Sequence, residues 1–428
     1  MTALAKDRSS LGRLDIDDDH LTALAARALG ESPQEVQLLS SIASPHPYAL
    51  PALTTAGRHW VRGTLSTPRG PRDFRLFVKH VQRFSTSVHA AMVPEEHRAA
   101  LDAALPWANE PSVYRSGLAQ ALPSGLTMPR ALLVSDLDQD SASIWLAEVT
   151  TRDDPWTTAQ LERAAYLLGR FAASPGVRAV AEESGHRMAA VGQYVEGRLR
   201  HQVVPALMDD GLAHHPLIAA AFSPTLVARL RAAAAQLPEV VVELDAMPPL
   251  ASHGDACPNN LLIHPDSSDI TLIDFGFFGL QPVGFDLTQL LVGEVQLGRR
   301  PASALSADEP VALSAYVRGL LDEGQSLTER EVRRSHALLM MVFCGLSAYP
   351  FELLDQPVTP ATVAIAMPMS STAPPLRRSK PRRRCTALES DAPRHLNTRS
   401  AVAWWKLVVP RSAGRSPTTP RAAWARSW

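Results

Sequence analysis

The sequence predicts an α+β fold in two lobes, a small antiparallel-sheet lobe followed by a larger, mainly helical one. Three observations carry this. Between about Ile42 and Thr150 the segments "RHWVRGTLS", "DFRLFVKHV", "RALLVSD" and "ASIWLAEVT" are rich in β-branched and aromatic residues, and "STPRGPR" supplies a turn between the first two. After Thr150 the apolar residues fall at helical spacing. Inside that helical half sits one tight hairpin, "HGDACPNNLLIHPDSSDITLIDFG", with carboxylates and amides at its open end.

The elements follow in chain order. "DDDHLTALAARALGES" reads as a first helix, with acids at its start, Leu21, Leu24 and Leu29 near one face and Gly30 to close it. Residues 1–41 are therefore expected to be an N-terminal helical extension, and residues 42–148 the small lobe, helical in parts from Pro94 to Gly117. Residues 149–360 form the helical lobe. There "DPWTTAQLERAAYLLGRFAAS" brings Leu161, Ala164, Ala165, Leu168 and Phe171 to one face. "SPTLVARLRAAAAQL" opens on Ser223 as cap and Pro224 at the first helical position. Further helices are expected near Pro310 to Glu323 and Thr328 to Ser347. Residues 361–428 change texture to Arg, Pro and Ser with little periodicity, and mostly disorder is expected there. Three readings of that tail stand side by side: a basic arm, a solvated tail without a role, or a GC-rich gene translated out of frame.

At 428 residues, 46% hydrophobic and 20% charged, the chain is ordinary globular material for two or three lobes. Its three cysteines, Cys257, Cys344 and Cys385, have no metal-binding spacing, which argues against a disulfide framework and for a reducing, cytoplasmic setting. The first twenty residues hold no apolar core, so no signal peptide is expected. The longest apolar run, Ala337 to Phe351, is short of the roughly 20 residues of a membrane helix and reads as buried. The net charge of −1 hides an asymmetry. From Ile365 onward there are 13 basic and two acidic residues, leaving 29 basic and 41 acidic before it, a net of −12. An acidic body argues against nucleic acid as a partner and leans towards cationic ligands.

The hairpin carries the chemistry. "LLIH" and "ITLI" are its strands and "PDSSD" its turn. Asn260 and Asp274 are equally far from Ser267, so a symmetric hairpin sets them opposite each other, and both are hard oxygen ligands suited to Mg²⁺. Asp255 lies on the loop leading into the first strand. Asp, four residues, Asn, strand, turn, strand and Asp-Phe-Gly is the order of parts in phosphoryl transfer. In that reading Asp255 accepts the proton of an attacking hydroxyl, and Asn260 and Asp274 hold Mg²⁺ on a triphosphate. The bland alternative is that Asp255 and Asn260 cap a turn and Asp274 ends a strand.

"HGDACPNNLL" followed by "LIDFGFFGLQPVGFDLTQLL" resembles the aminoglycoside phosphotransferase family, which has a protein-kinase-like fold. The resemblance spans about Ile42 to Pro360 and is strongest over Pro238 to Gly298. It implies that His253 supports the loop and that Asp286 braces it. It also implies a strand lysine, matched by Lys79 on the face opposite Val78, and a helix glutamate to hold it, matched by Glu110 with Glu95 and Glu96 as competitors. A hinge strand at "SIWLAEVT" would offer the backbone of Ala147–Val149 to the base of ATP or GTP. The chain departs from kinases in lacking a Gly-x-Gly-x-x-Gly loop, Gly57 and Gly63 being isolated, and in placing Cys257 in the catalytic loop, where a small packed side chain is the expected role. Only 11 residues separate Asp274 from Asp286, and Gly254 stands where protein kinases have Arg. Both favour a small-molecule acceptor over a protein, and Asp209, Asp210 and Glu294 are candidate acids for a cationic one. The alternative function is a nucleotide-binding pseudokinase or regulatory module without turnover.

Overall fold

Alternating apolar residues in the first half build one sheet with two covered faces. The computed structural model describes residues 6–46, 53–152, 154–183, 190–296 and 299–348, with 354 and 357–359. The strands are β1 (Lys6–Asp7), β2 (Gln37–Pro45), β3 (Thr55–Thr67), β4 (Gly70–Gln82), the two-residue β5 (Leu126–Thr127), β6 (Ala131–Asp138) and β7 (Ser141–Ala147). All but β5 join a six-stranded sheet in the order β1-β2-β3-β4-β7-β6, antiparallel apart from the β1–β2 pair. Gly70, at a φ of 104°, closes the β3–β4 turn where "STPRGPR" predicts one.

The period-2 alternation of β4 decides what lies on each face. Leu76 and Val78 point one way and are fully buried with Val61, Leu65 and Trp145. The helix Asp18–Leu29 covers that face through Leu21 and Leu24. It starts on an Asp17 side chain accepting from His20 N–H and ends on a left-handed Gly30. The described part of the expected extension, residues 6–41, is therefore not separate from the small lobe. The helix is the outer layer of the sheet, and β2 begins at Gln37 rather than after residue 41. Phe77, Lys79 and Val81 point the other way, towards the helical lobe.

In that lobe Thr157 and Gln160 form a reciprocal cap on the helix Thr158–Ala173. It buries Leu161, Ala164, Ala165, Leu168 and Phe171 and crosses the helix Leu305–Asp322 in backbone contact. A Cβ on Gly169 would lie 2.1 Å from the Tyr316 carbonyl oxygen, and one on Gly319 2.1 Å from that of Tyr166. The second helix starts before the expected Pro310, which lies inside it. Its first turn is anchored by buried Asp308, which Arg300 (2.6 Å) and Thr158 (2.9 Å) hold, two residues before Pro310, which removes one backbone donor. A second apolar cluster joins helices between Ala190 and Asp245 to the helix Glu329–Met340, through Leu199, Leu217, Leu230, Leu244 and Leu339. The apolar run expected to be buried continues that helix through a wider turn, Met341–Gly345. No helix among the described residues is long and apolar enough to cross a membrane. The basic tail, 361–428, lies outside the described residues.

Four short strands hold the polar hairpin: β8 (Pro249–Ser252), β9 (Leu261–Ile263), β10 (Ile270–Leu272) and β11 (Gly279–Pro282). β10 pairs with β9 on one side and with β5 on the other, so a small-lobe segment extends the hairpin's sheet. β8 pairs with β11.

The Gly169–Gly319 crossing predicts a specific sensitivity. Gly169→Ala should lower stability by about 1–3 kcal/mol, because overpacking against backbone cannot relax by a rotamer change. Gly192, where a Cβ meets nothing within 4 Å, is the control, and Gly192→Ala should be neutral or slightly stabilising. Chemical-denaturation midpoints of the two variants give the comparison.

Candidate active site

Lys79 is the centre of the site. β4 delivers it to the cleft face, and its Nζ donates to Glu110 Oε2 at 2.5 Å and to Asp274 Oδ1 at 2.9 Å. Lys79 is 5% exposed and Glu110 4%. Burial works against the Lys79 charge, but Asp274 and Glu110 overcome it and hold its pKa above the ordinary lysine value. Burial raises the Glu110 carboxyl, with Lys79 opposing. At Asp274 burial is outweighed by Lys79 and Arg58, which keep the carboxyl below the usual range. Glu110 sits in the first turn of the helix Asn109–Arg115, where the missing N–H of Pro111 interrupts no helical bond. Glu95 and Glu96 stand exposed in the first turn of the helix Glu95–Ala104.

The loop after β8 is braced from below. Asp286, in the first turn of the helix Phe285–Gln296, accepts from Ser252 Oγ (2.8 Å), His253 N–H (2.9 Å) and Gly254 N–H (3.0 Å). Burial raises its carboxyl, against His253 and those donors. His253 is fully buried, and burial pushes its pKa down, so the ring is held neutral. Its Nε2–H donates to the Ile273 carbonyl at 3.0 Å, and its Nδ1 accepts from Asp255 N–H at 3.4 Å. One imidazole thus ties the loop to the end of β10. Gly254, at a φ of 83°, has no room for a side chain, since a Cβ would lie 2.0 Å from the Phe277 carbonyl oxygen.

The hairpin register differs from the symmetric expectation. Leu261 pairs with Leu272, and Ile273 N–H donates to the Asn260 carbonyl at 3.0 Å, so Asn260 stands opposite Ile273, one residue short of Asp274. The reason is the turn. His264 N–H bonds the Asp269 carbonyl, which leaves four residues in the loop rather than five. An extended Asp274 would then project to the opposite face from Asn260. Instead Asp274 leaves the strand at φ 64° and ψ 66°, the one non-glycine residue with positive φ among those described, and meets Lys79. Asn260 donates its Nδ2–H to the Asp255 carbonyl (2.9 Å) and carboxylate (3.0 Å), which leaves its Oδ1 as the free acceptor of that amide. Cys257 is buried, its thiol pushed well up by burial and by Asp255, and it packs against Gly293 as an inert side chain.

Three further features carry no sequence signature. Buried Asn109 donates its Nδ2 to the carbonyls of Phe275 (3.3 Å), Gly276 (3.1 Å) and Phe278 (2.8 Å), so the helix that supplies Glu110 also fixes the Asp-Phe-Gly segment. On the cleft face Trp60, Phe77 and Leu146 are cross-strand neighbours, the first two with ring centroids 5.0 Å apart. Arg75 stacks over Trp60 at 3.9 Å and pairs with Glu148 at 2.6 Å. At the expected hinge the Ala147 N–H is already donated to the Arg130 carbonyl (3.0 Å), so a backbone donor for a base has to come from beyond it; Val149 follows the strand by two residues. Of the candidate acids, Asp209 caps the turn Asp210–Ala213, Asp210 pairs with Arg231, and buried Glu294 pairs with Arg299, which also donates to Asn259 in the loop.

A two-lobed kinase-like frame with a buried lysine–glutamate pair beside a braced loop defines the class of protein. The family model described as "Phosphotransferase enzyme family" matches residues 81–320, and the chain belongs to that family, as a small-molecule kinase. Lys79 lies just before the matched span. No curated protein matches the chain. Among solved structures it is similar to an amicoumacin kinase in complex with AMP-PNP, Ca²⁺ and Ami (11% identity, TM-score 0.40, 78% of this chain and 86% of that one). It is also similar to an aminoglycoside-3'-phosphotransferase of type VIII (20%, 0.38, 74% and 97%). A third is an aminoglycoside phosphotransferase from Alicyclobacillus acidocaldarius (13%, 0.42, 76% and 86%).

Asp286→Ala would leave the His253 N–H and the Ser252 hydroxyl buried without an acceptor, while the Gly254 N–H keeps Ser252 Oγ at 3.1 Å. We expect a loss of about 2 kcal/mol or more in unfolding free energy, at about 1–3 kcal/mol per orphaned donor, with Asp286→Asn milder because it keeps one acceptor oxygen. Urea unfolding of both variants measures the difference.

Proposed function

We propose that the enzyme transfers the γ-phosphoryl group of ATP or GTP to a hydroxyl of a small molecule, with Asp255 as the base and Asn260 and Asp274 as ligands of Mg²⁺. The observation that carries this is the Lys79 ammonium held between Glu110 and Asp274 beside a loop in which Asn260 orients Asp255.

The donor set fits a magnesium–nucleotide. Among the described residues no group of three or more His, Cys, Asp or Glu side chains is placed to hold a metal ion. One carboxylate and one amide oxygen are too few for a resident ion. They suit Mg²⁺, which keeps waters and takes its remaining ligands from substrate phosphates. When bound, that ion would neutralise charge on the transferring group. The chain's own residues do the rest. Lys79, fixed by Glu110, is placed for the nucleotide's phosphates. Val149 offers backbone to the base at the end of the sheet, beside the apolar row Trp60, Phe77 and Leu146. Asp255, with one carboxylate oxygen held by Asn260 Nδ2 at 3.0 Å, accepts the hydroxyl proton as the acceptor oxygen attacks. The net charge of −12 before residue 365 supports a cationic acceptor such as an aminoglycoside-like amine.

Asp255→Asn keeps the shape and removes the base. Turnover on an accepted hydroxyl compound should fall by about 10²–10⁴ while nucleotide affinity stays within about threefold of wild type. Coupled phosphate-transfer assays over an acceptor panel, with calorimetric nucleotide titrations, test both halves. Unchanged turnover in the variant would remove Asp255 from the role of base.

A further inference from the structure

We propose that Arg58 is a phosphate-binding residue of the nucleotide site, acting from β3 with Lys79 to hold the triphosphate that glycine-rich loops elsewhere hold with backbone N–H groups. This rests on the nucleotide-dependent reading above and deepens it.

The need for such a residue comes from the sequence. A Gly-rich loop lets backbone donors approach phosphates closely, and Gly57 and Gly63 stand too far apart to form one. Some other group has to offset the charge of a triphosphate on that side of the cleft. The sheet register places Arg58 there. Arg58 is the direct cross-strand partner of Lys79, and directly opposed residues share a face with Cβ atoms about 4.5–5.5 Å apart. The face is fixed independently, because Val61, Leu76 and Val78 are packed against the first helix and the alternation sends Arg58, Trp60 and Lys79 the other way. The β3–β4 register slips between Thr55 and Gly57, immediately before Arg58, a bulge of the kind that re-aims a side chain. Thr54, just before that bulge, lines the same cleft as Lys79, Glu110 and Asp274.

Charge gives the second argument. Like charges directly opposite on paired strands repel. Here Arg58 and Lys79 face each other beside two carboxylates, Glu110 and Asp274, which makes a neutral quartet. Arg58 is close enough to help lower Asp274 and to work against the charge on Lys79. Once a divalent cation sits on Asp274 the same quartet carries two positive charges, which an anionic ligand offsets. The order of rows on the face agrees. Arg58, Lys79 and Ile144 form one cross-strand row, and Trp60, Phe77 and Leu146 the next, on the side of the hinge. A base against the second row puts its phosphates at the first.

The test is calorimetric titration of the full chain with ATP, GTP, ADP and AMP in the presence of Mg²⁺. Arg58→Gln should weaken the preferred triphosphate by about 10- to 100-fold, the diphosphate less, and the monophosphate by no more than about twofold, with Arg58→Lys intermediate. Thermal unfolding of the free variants, expected within a few degrees of wild type, separates binding from folding. An unchanged triphosphate affinity in Arg58→Gln, or an equal loss for tri- and monophosphate, would overturn the role of Arg58 and leave the kinase reading intact. If neither triphosphate binds the wild-type protein, the nucleotide reading falls, and this inference with it.

Discussion

A lysine ammonium buried to 5% exposure requires charged partners, because an unpaired charge in the interior costs several kcal/mol. Lys79 has two, and they come from distant parts of the chain. Its own strand belongs to the small lobe, Glu110 to the short helix that follows, and Asp274 to the end of the hairpin, 195 residues away. The contact ties the two lobes together at the candidate site. Asn109 reinforces it, its Nδ2 lying within hydrogen-bond distance of the carbonyls of Phe275 and Gly276 in the Asp-Phe-Gly segment and of Phe278 just beyond, which ties the helix of Glu110 to the segment of Asp274. A buried ion pair is weak evidence of stability. Here its value is geometric, since it fixes the distance between a sheet and a loop.

The loop that carries Asp255 is held with comparable economy of parts. Asp286 satisfies two of its backbone N–H groups, and the neutral His253 ring bridges to the strand end. Each partner is buried, so each bond resists exchange with water. Reacting groups have to be placed to within about half an ångström, and a loop alone does not supply that. The helices between Ala190 and Asp245 contrast with this. They have their own apolar cluster, and the acids Asp209 and Asp210 are engaged in caps and surface pairs. A subdomain with its own apolar cluster can vary in sequence without disturbing the frame that carries the candidate site.

What the sequence made legible follows from the range of the interactions. The capped helices at Thr158 and Pro224 and the β3–β4 turn are local, and they were readable to within a residue or two. Lys79 and Glu110 come from the family resemblance, which calls for a strand lysine and a helix glutamate and leaves Glu95 and Glu96 as competitors; the 2.5 Å contact singles out Glu110 as the partner. The first helix was seen, but its place was not. Its apolar face names no partner, and only the sheet shows that Leu21 and Leu24 close a face shared with Leu76 and Val78. The hairpin register was off by one residue because Pro265 to Asp269 all favour turns, and which four form the loop depends on a bond from His264 to Asp269. Asn109 and Arg58 were invisible for a different reason. Carbonyl contacts and cross-strand placement depend on the fold, and neither leaves a residue pattern.

Two departures from protein kinases, the short connection and Gly254, meet at one place in the structure. Only 11 residues run from Asp274 to Asp286, and the loop has Gly254 in place of Arg. With so short a connection the chain turns back directly under the loop. The Phe277 carbonyl oxygen then lies 2.0 Å from where a Cβ on residue 254 would stand, and the backbone there adopts a φ of 83°. No L side chain fits both conditions. The arginine of protein kinases pairs with a phosphorylated segment when one is present. Here the segment itself fills that space, so the loop is ordered by direct backbone packing.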